Sequence, residues 1–363
     1  MATKKSRRTA QKKSVSSSRR RASSVSRTSK RGHMLVWILL GVIALWMALR
    51  YLPAGWDSFG PLPFAIALIP LLAVPLVGTL GLAALTHNRA QVWASIALLV
   101  VHLVWSLTFF VPIPAGMMPV LGSPRQTMSS SAHANSTQQL TVMTVNARYG
   151  RADTSVILHT IEQMNVDVLA VQEVSADFVQ RLHDAGISSV MAYEQLGEKK
   201  NSDNGGFNAV WSRYPATSSG ATLLENMGSN TPWITLQVNN NAVRVVSTHP
   251  YSPQRSTKQW QHDIAALVQL TSGADVPTIV MGDMNSSTFH PSLRATINTG
   301  LLDSSLEVHR GAHPTFPSSW TFLPSVIEID HVLHTREMQA VSVRTAVIPR
   351  TDHQALICTL SWR

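Results

Sequence analysis

An α/β domain with mixed sheets, preceded by transmembrane α-helices, is the fold class that this 363-residue sequence predicts. Three observations carry it. Three long apolar stretches crowd between residues 34 and 114. From residue 138 onward strand-like and helix-like runs alternate, as they do in an α/β chain. Near the C-terminus several strand-like runs follow one another with no helix between them, which calls for antiparallel pairing and therefore mixed sheets.

The first element is a basic tail. Residues 1–33 hold 12 of the 30 Lys and Arg and none of the 20 acids, so the rest of the chain carries 18 basic against 20 acidic side chains. The net charge of +10 therefore belongs to a Ser/Arg/Lys segment with too little apolar surface to fold. This reads as a disordered cytoplasmic tail beside anionic lipid, in preference to a nucleic-acid-binding arm.

The apolar stretches come next: "MLVWILLGVIALWMALRYL" (34–52), "PLPFAIALIPLLAVPLVGTLGLAALT" (61–86) and "QVWASIALLVVHLVWSLTFFVPIP" (91–114). Each is near the roughly 20 residues that cross a bilayer core, so three transmembrane helices are expected over 34–114. Arg50 sits where it could snorkel to the interface. His102 lies inside a span with no acidic partner in any span, which suits a helix-packing hydrogen bond better than transport. The tail is basic, the first loop "PAGWDSFG" has no Lys or Arg, and the second loop "HNRA" has Arg89. By the positive-inside rule the N-terminus is cytoplasmic, and everything after Pro114 lies outside the cytoplasm of a multi-pass cell-membrane protein. Residues 115–137, rich in Ser, Pro and Gly, are expected to be a linker.

From residue 138 to 363 the predicted strands are "LTVMTVNA", "DVLAVQE", "FNAVWS", "WITLQV", "AVRVVSTH", "TIVMGD", "IEIDHVLH", "AVSVRTAVI" and "ALICTLSW". "DTSVILHTIEQM" and "TKQWQHDIAALVQL" have helical spacing. The one cysteine, Cys358, lies in an apolar run, which excludes an intrachain disulfide and a cysteine-based zinc site.

Polar residues gather at the strand ends. They are Asn146, Glu173, His249, Asp283 with Asn285, Asp330 with His331, and Asp352 with His353. "GDMN" alone is explained by turn chemistry. It also fits a site, since residues i and i+2 of an extended segment face the same side. Six strand ends that all carry metal-binding or proton-moving groups favour the site.

The ordered set "TVNAR", "LAVQEV", "GGFNAVWSRYP", "STHP", "GDMN", "IDHVL" and "TDH" resembles the endonuclease/exonuclease/phosphatase superfamily of metal-dependent phosphoesterases. The resemblance spans residues 138–363. It implies a four-layered α/β sandwich, two mixed sheets face to face with helices outside. It implies metal ligation by Glu173, with Asn146 beside it and Asp352 in support. It assigns Asp283 to orient and deprotonate water, Asn285 to hold Asp283 or the phosphate, and His249 to act as general acid or phosphate contact. His353 becomes a phosphate contact oriented by Asp330. Asn208 and Arg213 contact substrate or serve the turn and strand. "TDHQAL" departs from relatives that have Ser before the Asp and Pro near the end, and it keeps Asp352 and His353. His331 is expected to be structural, and His262, His290 and His313 have no assigned role.

Oxygen and amide donors without thiolates suit Mg2+ or Mn2+. The expected function is a membrane-anchored phosphodiesterase, with nucleic acid, a lipid headgroup (sphingomyelinase-like) and a phosphomonoester as open substrate classes. From residue 115 on there are 16 basic and 19 acidic residues, which does not suit a protein gripping long DNA. A non-catalytic membrane receptor or scaffold is the alternative of another class. No protein partner is expected.

Overall fold

The computed structural model describes residues 32–112, 139–200, 205–270, 276–319 and 323–363. Residues 1–31 of the expected tail and the whole expected linker lie outside the described residues. The chain divides into two compact units, Met1–Met47 with Leu71–Leu103, and Ala48–Pro70 with Val104–Arg363.

The helices of the N-terminal region are α1 (Gly32–Tyr51), α2 (Leu62–Ala67), α3 (Ala73–Leu85) and α4 (Arg89–Leu107). By length and composition, α1 and α4 are candidate membrane spans. The stretch 61–86, expected as one span, is broken instead. Leu62–Ala67 is α-helical, Ile69–Leu72 is a 3-10 turn, and a second helix starts at Ala73. Pro70 is the physical reason, because its ring removes an N–H and crowds the carbonyl one turn back. In the first unit Val36, Leu40 and Ala83 pack with Val92, Ala94 and Leu98, and the Gln91 amide donates to the His33 carbonyl at 2.6 Å. His102 is buried.

The second unit holds both sheets. Sheet A uses β1 (Gln139–Asn146), β2 (Val168–Val174), β3 (Tyr193–Leu196), β4 (Phe207–Ser212), β11 (Met338–Val347) and β12 (Gln354–Trp362), in the order β11-β12-β1-β2-β4-β3. Sheet B uses β5 (Ala216–Gly220), β6 (Trp233–Val238), β7 (Asn241–Ser247), β8 (Thr278–Asp283), β9 (Leu302–Asp303) and β10 (Asp330–His334), in the order β5-β6-β7-β8-β10-β9. Each sheet has one parallel pair, β1 with β2 and β7 with β8, among antiparallel neighbours.

Side-chain alternation sorts the core into layers. Leu140, Val142, Val168 and Ala170 of sheet A meet Leu236, Val245, Ile279 and Met281 of sheet B. The alternate residues Met143, Val145, Leu169 and Val171 face outward under α5 (Thr154–Gln163) and α6 (Ala176–Asp184), through Ile157, Ile161, Phe178 and Leu182. A short α7 (Ile187–Val190) adds Ile187 to the same layer. On the far side Val246 and Val280 lie under α8 (Thr257–Ala266) and α9 (Pro291–Ile297), through Trp260, Ile264, Leu293 and Ile297. Strands buried on both faces read as continuous apolar runs, as these do. The last helix, α10 (Ser304–Glu307), is a single turn after β9.

The hairpin between α1 and α3 packs on α9. Asp57 accepts from the Ser292 backbone N–H at 2.8 Å and from the Ser292 hydroxyl. His290 Nε2 donates to the Pro63 carbonyl at 2.9 Å. Arg294 donates to the Arg50 carbonyl. Arg50 does not snorkel as expected. Its guanidinium is buried, 4.3 Å from the Phe289 ring centre and 5.2 Å from that of Trp105, where cation–π attraction replaces water.

Gly282 shows why the strand into Asp283 carries a glycine. Its φ is +150°, and a Cβ there would overlap the Thr248 carbonyl oxygen. Gly282→Ala therefore meets both strain and a rigid backbone clash. It is expected to cost about 3 kcal/mol or more, a fall in Tm of roughly 6–12 °C for a domain of this size. A melting curve within 2 °C of the parent, on the roughly 2–4 °C per kcal/mol scale, would show that the neighbouring strand yields.

Candidate active site

Strand register assembles the cluster. Parallel β1 and β2 pair Asn146 with Gln172, which sets Glu173 next to Asn146. Parallel β7 and β8 pair Ser247 with Met281, so His249 and Asp283 both lie two residues beyond one rung. Antiparallel β8 and β10 pair Asp283 with Asp330. The carboxyl ends of both parallel pairs therefore converge, where open sheets of α/β proteins commonly form sites.

Glu173 is bent into the cleft. The β2–β4 register shifts between Val171 and Val174, and Glu173 adopts φ 55°. A left-handed backbone at a glutamate is strained, and such strain gathers at functional sites. Gly205 makes room, since a Cβ there would fall 2.5 Å from Glu173 Oε2. Glu173 Oε2 accepts from the Tyr149 N–H at 2.9 Å, and Oε1 accepts from Asn146 Nδ2 at 3.0 Å. Asn146 Nδ2 also donates to Asp283 Oδ2 at 3.1 Å. Thr351, two residues before His353, donates to the Asn146 carbonyl at 2.7 Å and accepts the His353 N–H at 3.2 Å.

Asp283 uses its two oxygens differently. Oδ1 accepts the Asn285 N–H at 2.8 Å, an Asx turn. Oδ2 lies 3.4 Å from His249 Nε2 and 3.7 Å from His353 Nε2. The expectation that Asp283 and Asn285 share one face of an extended segment is corrected. Asn285 has φ 47°, and it is the turn that swings its side chain to the Pro250 carbonyl at 3.1 Å and to 3.2 Å from His249 Nε2. Turn chemistry and site geometry coexist in one carboxylate.

Electrostatics follow from burial and pairing. Burial alone would raise the Asp283 carboxyl, but the charge of His353 and the bond and charge of His249 hold it well below the usual carboxylate range. Burial alone would lower His353, but Asp330 at 2.8 Å and Asp283 push it up to about 10. Burial also opposes the charged form of His249, and Asp283 outweighs it, so its pKa is raised. The centre is thus an ionised aspartate between a cationic His353 and a His249 whose charged form the aspartate favours.

The cleft beside this cluster has a volume of about 380 Å³. Glu173, His249, Asp283, Asn285, Asp352 and His353 line it, while Asn146 and Asp330 are hydrogen-bonded just behind. Asp352 reaches the cleft paired with Arg148 at 3.4 Å, and no direct bond joins it to Glu173 or Asn146 among the described residues. Asn208 and Arg213 are elsewhere: Asn208 donates to the Asn230 carbonyl at 2.7 Å and Arg213 to the Val166 carbonyl at 2.6 Å. Sequence reasoning missed Arg255, whose guanidinium donates to the Tyr149 hydroxyl at 3.3 Å, and the apolar Pro63, Phe64, Ala67 and Leu68. Arg255 carries no signal beyond its nearness to "STHP". The apolar four are masked by their membrane-like context.

Among the described residues, two groups of ligand-bearing side chains are close enough to hold a metal ion, Asp283 with Asp330 and His353, and Asp303 with Glu328 and His331. A ligating imidazole must be neutral. In the second group His331 donates from Nδ1 to Asp303 at 2.7 Å and from Nε2 to the Ser286 carbonyl at 2.8 Å, which needs both protons. His353 faces two carboxylates and is also charged. Glu173 and Asp352 bring carboxylate oxygens to the cleft, and the Asn146 side-chain oxygen beside them accepts the Arg148 N–H at 2.8 Å; oxygen donors of this kind suit a hard divalent cation. Within this set the Asn146 amide donates to Glu173 Oε1, the other carboxylate on that amide being Asp283, and no thiol is near. Cys358 is a core residue whose thiol burial pushes up to about 12.

A family model described as "Endonuclease/Exonuclease/phosphatase family" matches residues 143–353. Among solved structures, an endonuclease/exonuclease/phosphatase from Beutenbergia cavernae has a TM-score of 0.51 at 21% identity, covering 62% of this chain and 72% of its own. TDP2 from D. rerio, complexed with single strand DNA product, has a TM-score of 0.51 at 13% identity, covering 61% of this chain and 99% of its own. An endonuclease/exonuclease/phosphatase from Bacteroides vulgatus has a TM-score of 0.50 at 15% identity, covering 62% and 99%. At these identities the structures show likeness of fold alone. No curated protein matches the chain.

The His331–Asp303 pair gives a pH signature that is separate from the cleft. Burial would lower His331, but the Asp303 bond and charge push it up to about 9. A histidine with a raised folded pKa stabilises fully below its unfolded value near 6.5 and loses that contribution as pH rises through the folded value. Stability is therefore expected to decline between about pH 6.5 and 9. His331→Gln should lower Tm at pH 6.5 and flatten the decline. Parallel Tm-against-pH curves for the two proteins would remove the charged pair.

Proposed function

The chain belongs to the endonuclease/exonuclease/phosphatase family of hydrolases acting on phosphoester bonds, and from that premise we propose that it is a membrane-anchored, divalent-metal-dependent phosphodiesterase with its catalytic domain outside the cytoplasm. The observation that carries the catalytic part is the contact of Asp283 with both His249 and His353, on the wall shared with Glu173. A phosphodiester is anionic and repels its nucleophile, so the site must offer positive charge and a proton acceptor together. This cluster offers both.

Asp283, held ionised, accepts a hydrogen bond from the attacking water and takes its proton. Its low basicity means that position contributes more than proton affinity. The Asx turn with Asn285 fixes that position. His353, oriented through Nδ1 by Asp330, presents Nε2–H to a non-bridging phosphate oxygen. His249 is placed to protonate the leaving oxygen or to bind another phosphate oxygen. Arg148 and Arg255 at the rim attract the anion. Mg2+ or Mn2+ held by Glu173 with Asn146 and Asp352 would offset negative charge on the phosphate.

Membrane anchoring is supported by the candidate spans α1 and α4 and the basic N-terminal segment. A third crossing in the 61–86 stretch requires its helical part, Ile69–Leu85, which is shorter than the other two. The outside location rests on that third crossing together with the charge rule.

Asp283→Asn keeps the shape and removes the proton acceptor, so kcat is expected to fall about 10²–10⁴-fold with Tm unchanged. Glu173→Gln should cost roughly a hundredfold that excess Mg2+ does not restore. Hydrolysis of methyl 4-nitrophenyl phosphate at saturating Mg2+ is the assay. Full activity of Asp283→Asn, or of the parent protein in EDTA, sinks the mechanism.

Topology is tested by adding protease to intact cells. The domain after Pro114 should be removed while the N-terminal segment stays protected. Protection of the domain until lysis would place it in the cytoplasm.

A further inference from the structure

The cleft has a second wall of a different character. Pro63, Phe64, Ala67 and Leu68 come from the hairpin between α1 and α3 and line the same cavity as Asp283, His249 and His353. Ile327 and Ile329 extend the apolar surface. The geometry points to a hydrocarbon subsite formed by Pro63–Leu68, and to an amphiphilic phosphodiester, a lipid cleaved at its phosphate, as the substrate. This deepens the phosphodiesterase reading and rests on it.

Three observations carry the inference. First, the wall is built and fixed. Pro63 is held through its carbonyl by buried His290, and Asp57 caps the N-terminus of α9 by accepting from Ser292. Second, no basic residue belongs to Pro63–Leu68, although a groove that tracks a polyanion beyond one phosphate is lined with cations. A nucleotide next to the scissile phosphate would lay a sugar and further charge against Pro63, Ala67 and Leu68, whereas a hydrocarbon chain buries apolar surface there. Third, the hairpin continues the apolar surface outward. Trp56, Phe59, Phe64 and Leu68 remain 58%, 65%, 39% and 37% exposed. They follow a candidate span that ends at Tyr51, and aromatic residues at such a boundary sit in the interfacial layer of a bilayer. A lipid can therefore offer its phosphate to the cleft while its chains remain in the apolar phase.

The test uses the full chain in lipid nanodiscs with Mg2+ and a pair of chromogenic diesters, methyl and butyl 4-nitrophenyl phosphate. The parent enzyme should show kcat/KM rising by up to about fourfold per added methylene, the transfer value of a buried CH2, mainly through KM. In Phe64→Asn and Leu68→Asn the butyl-to-methyl ratio should fall at least threefold, and Phe64→Leu should retain it. Tm values within a few degrees of the parent show that the variants are folded; if one asparagine variant is not, the other and Phe64→Leu decide. A flat ratio in the parent enzyme, with the methyl ester hydrolysed, overturns the subsite and leaves the phosphodiesterase reading intact. So does a ratio that the substitutions leave unchanged. Failure to hydrolyse either ester removes both. Cleavage of a single-stranded DNA oligonucleotide that drops in Phe64→Asn, with no chain-length effect, would make the wall a base-stacking surface and overturn the lipid assignment.

Discussion

One side-chain amide joins the two sheets at the place where chemistry is expected. Asn146 ends β1 of sheet A, and its Nδ2 donates both to Glu173 of its own sheet and to Asp283 of sheet B. Two carboxylates in a buried cleft repel each other, and an unpaired buried charge is costly. The shared donor holds them together, and it occupies the kind of position a cation takes between anions. Behind it Gln172 repeats the device, accepting from Thr144 and donating to Ser247 across the sheets at 3.1 Å. A one-residue slip of β1 or β8 would turn Asn146 or Asp283 away from this seam and bury an apolar neighbour there instead. The long apolar runs that fill the interior are thus what fixes the polar ends.

Backbone strain is concentrated around the same seam. Arg148, Tyr149, Glu173 and Asn285 all have positive φ, and all four line the cleft. Each such residue costs on the order of 1–3 kcal/mol and persists only where its surroundings over-determine it. Here the over-determination is visible. Glu173 is clasped by the Tyr149 N–H and Asn146, and Asn285 by the Asp283 turn and the Pro250 carbonyl. The bends aim polar groups that a straight strand would send to alternate faces.

Much of this was legible before any coordinates. The apolar runs located every central strand to within a few residues, and the residues at their ends are the ones the register brings together. The legible part is the part set by period-2 alternation and by chemistry confined to a few residue types. What stayed hidden has physical reasons. β3, β5 and α6 are short, and β5, "ATSSG", has no apolar signal. The roles of Asn208 and Arg213 depend on which carbonyl lies within reach, which no motif encodes. Asn285 turns off the strand with a φ of 47°, and composition does not distinguish such a turn from a continuing strand. The break at Pro70 was printed in the sequence, but hydropathy averaged over a window conceals it.

The hairpin shows how an apolar segment can be legible as membrane-like and still serve a soluble-facing site. Residues 278–297 form one continuous stretch: β8 delivers Asp283, the Asx turn delivers Asn285, and α9 follows with Ser292 and Arg294. The hairpin is fastened to that last part by Asp57 and by the carbonyls of Arg50 and Pro63. His290, buried and neutral in character because burial lowers its pKa, can donate from Nε2 to Pro63 only if Nδ1 accepts, and it does so from the Ser287 N–H at 2.9 Å. The apolar wall is therefore fastened near one end of a short, hydrogen-bonded run of chain that carries Asp283 at the other. Their separation is set by local structure. A displacement of the hairpin would have to break buried bonds to α9 before it could open the cleft, which makes the second wall a fixed part of the site and not a loop that visits it.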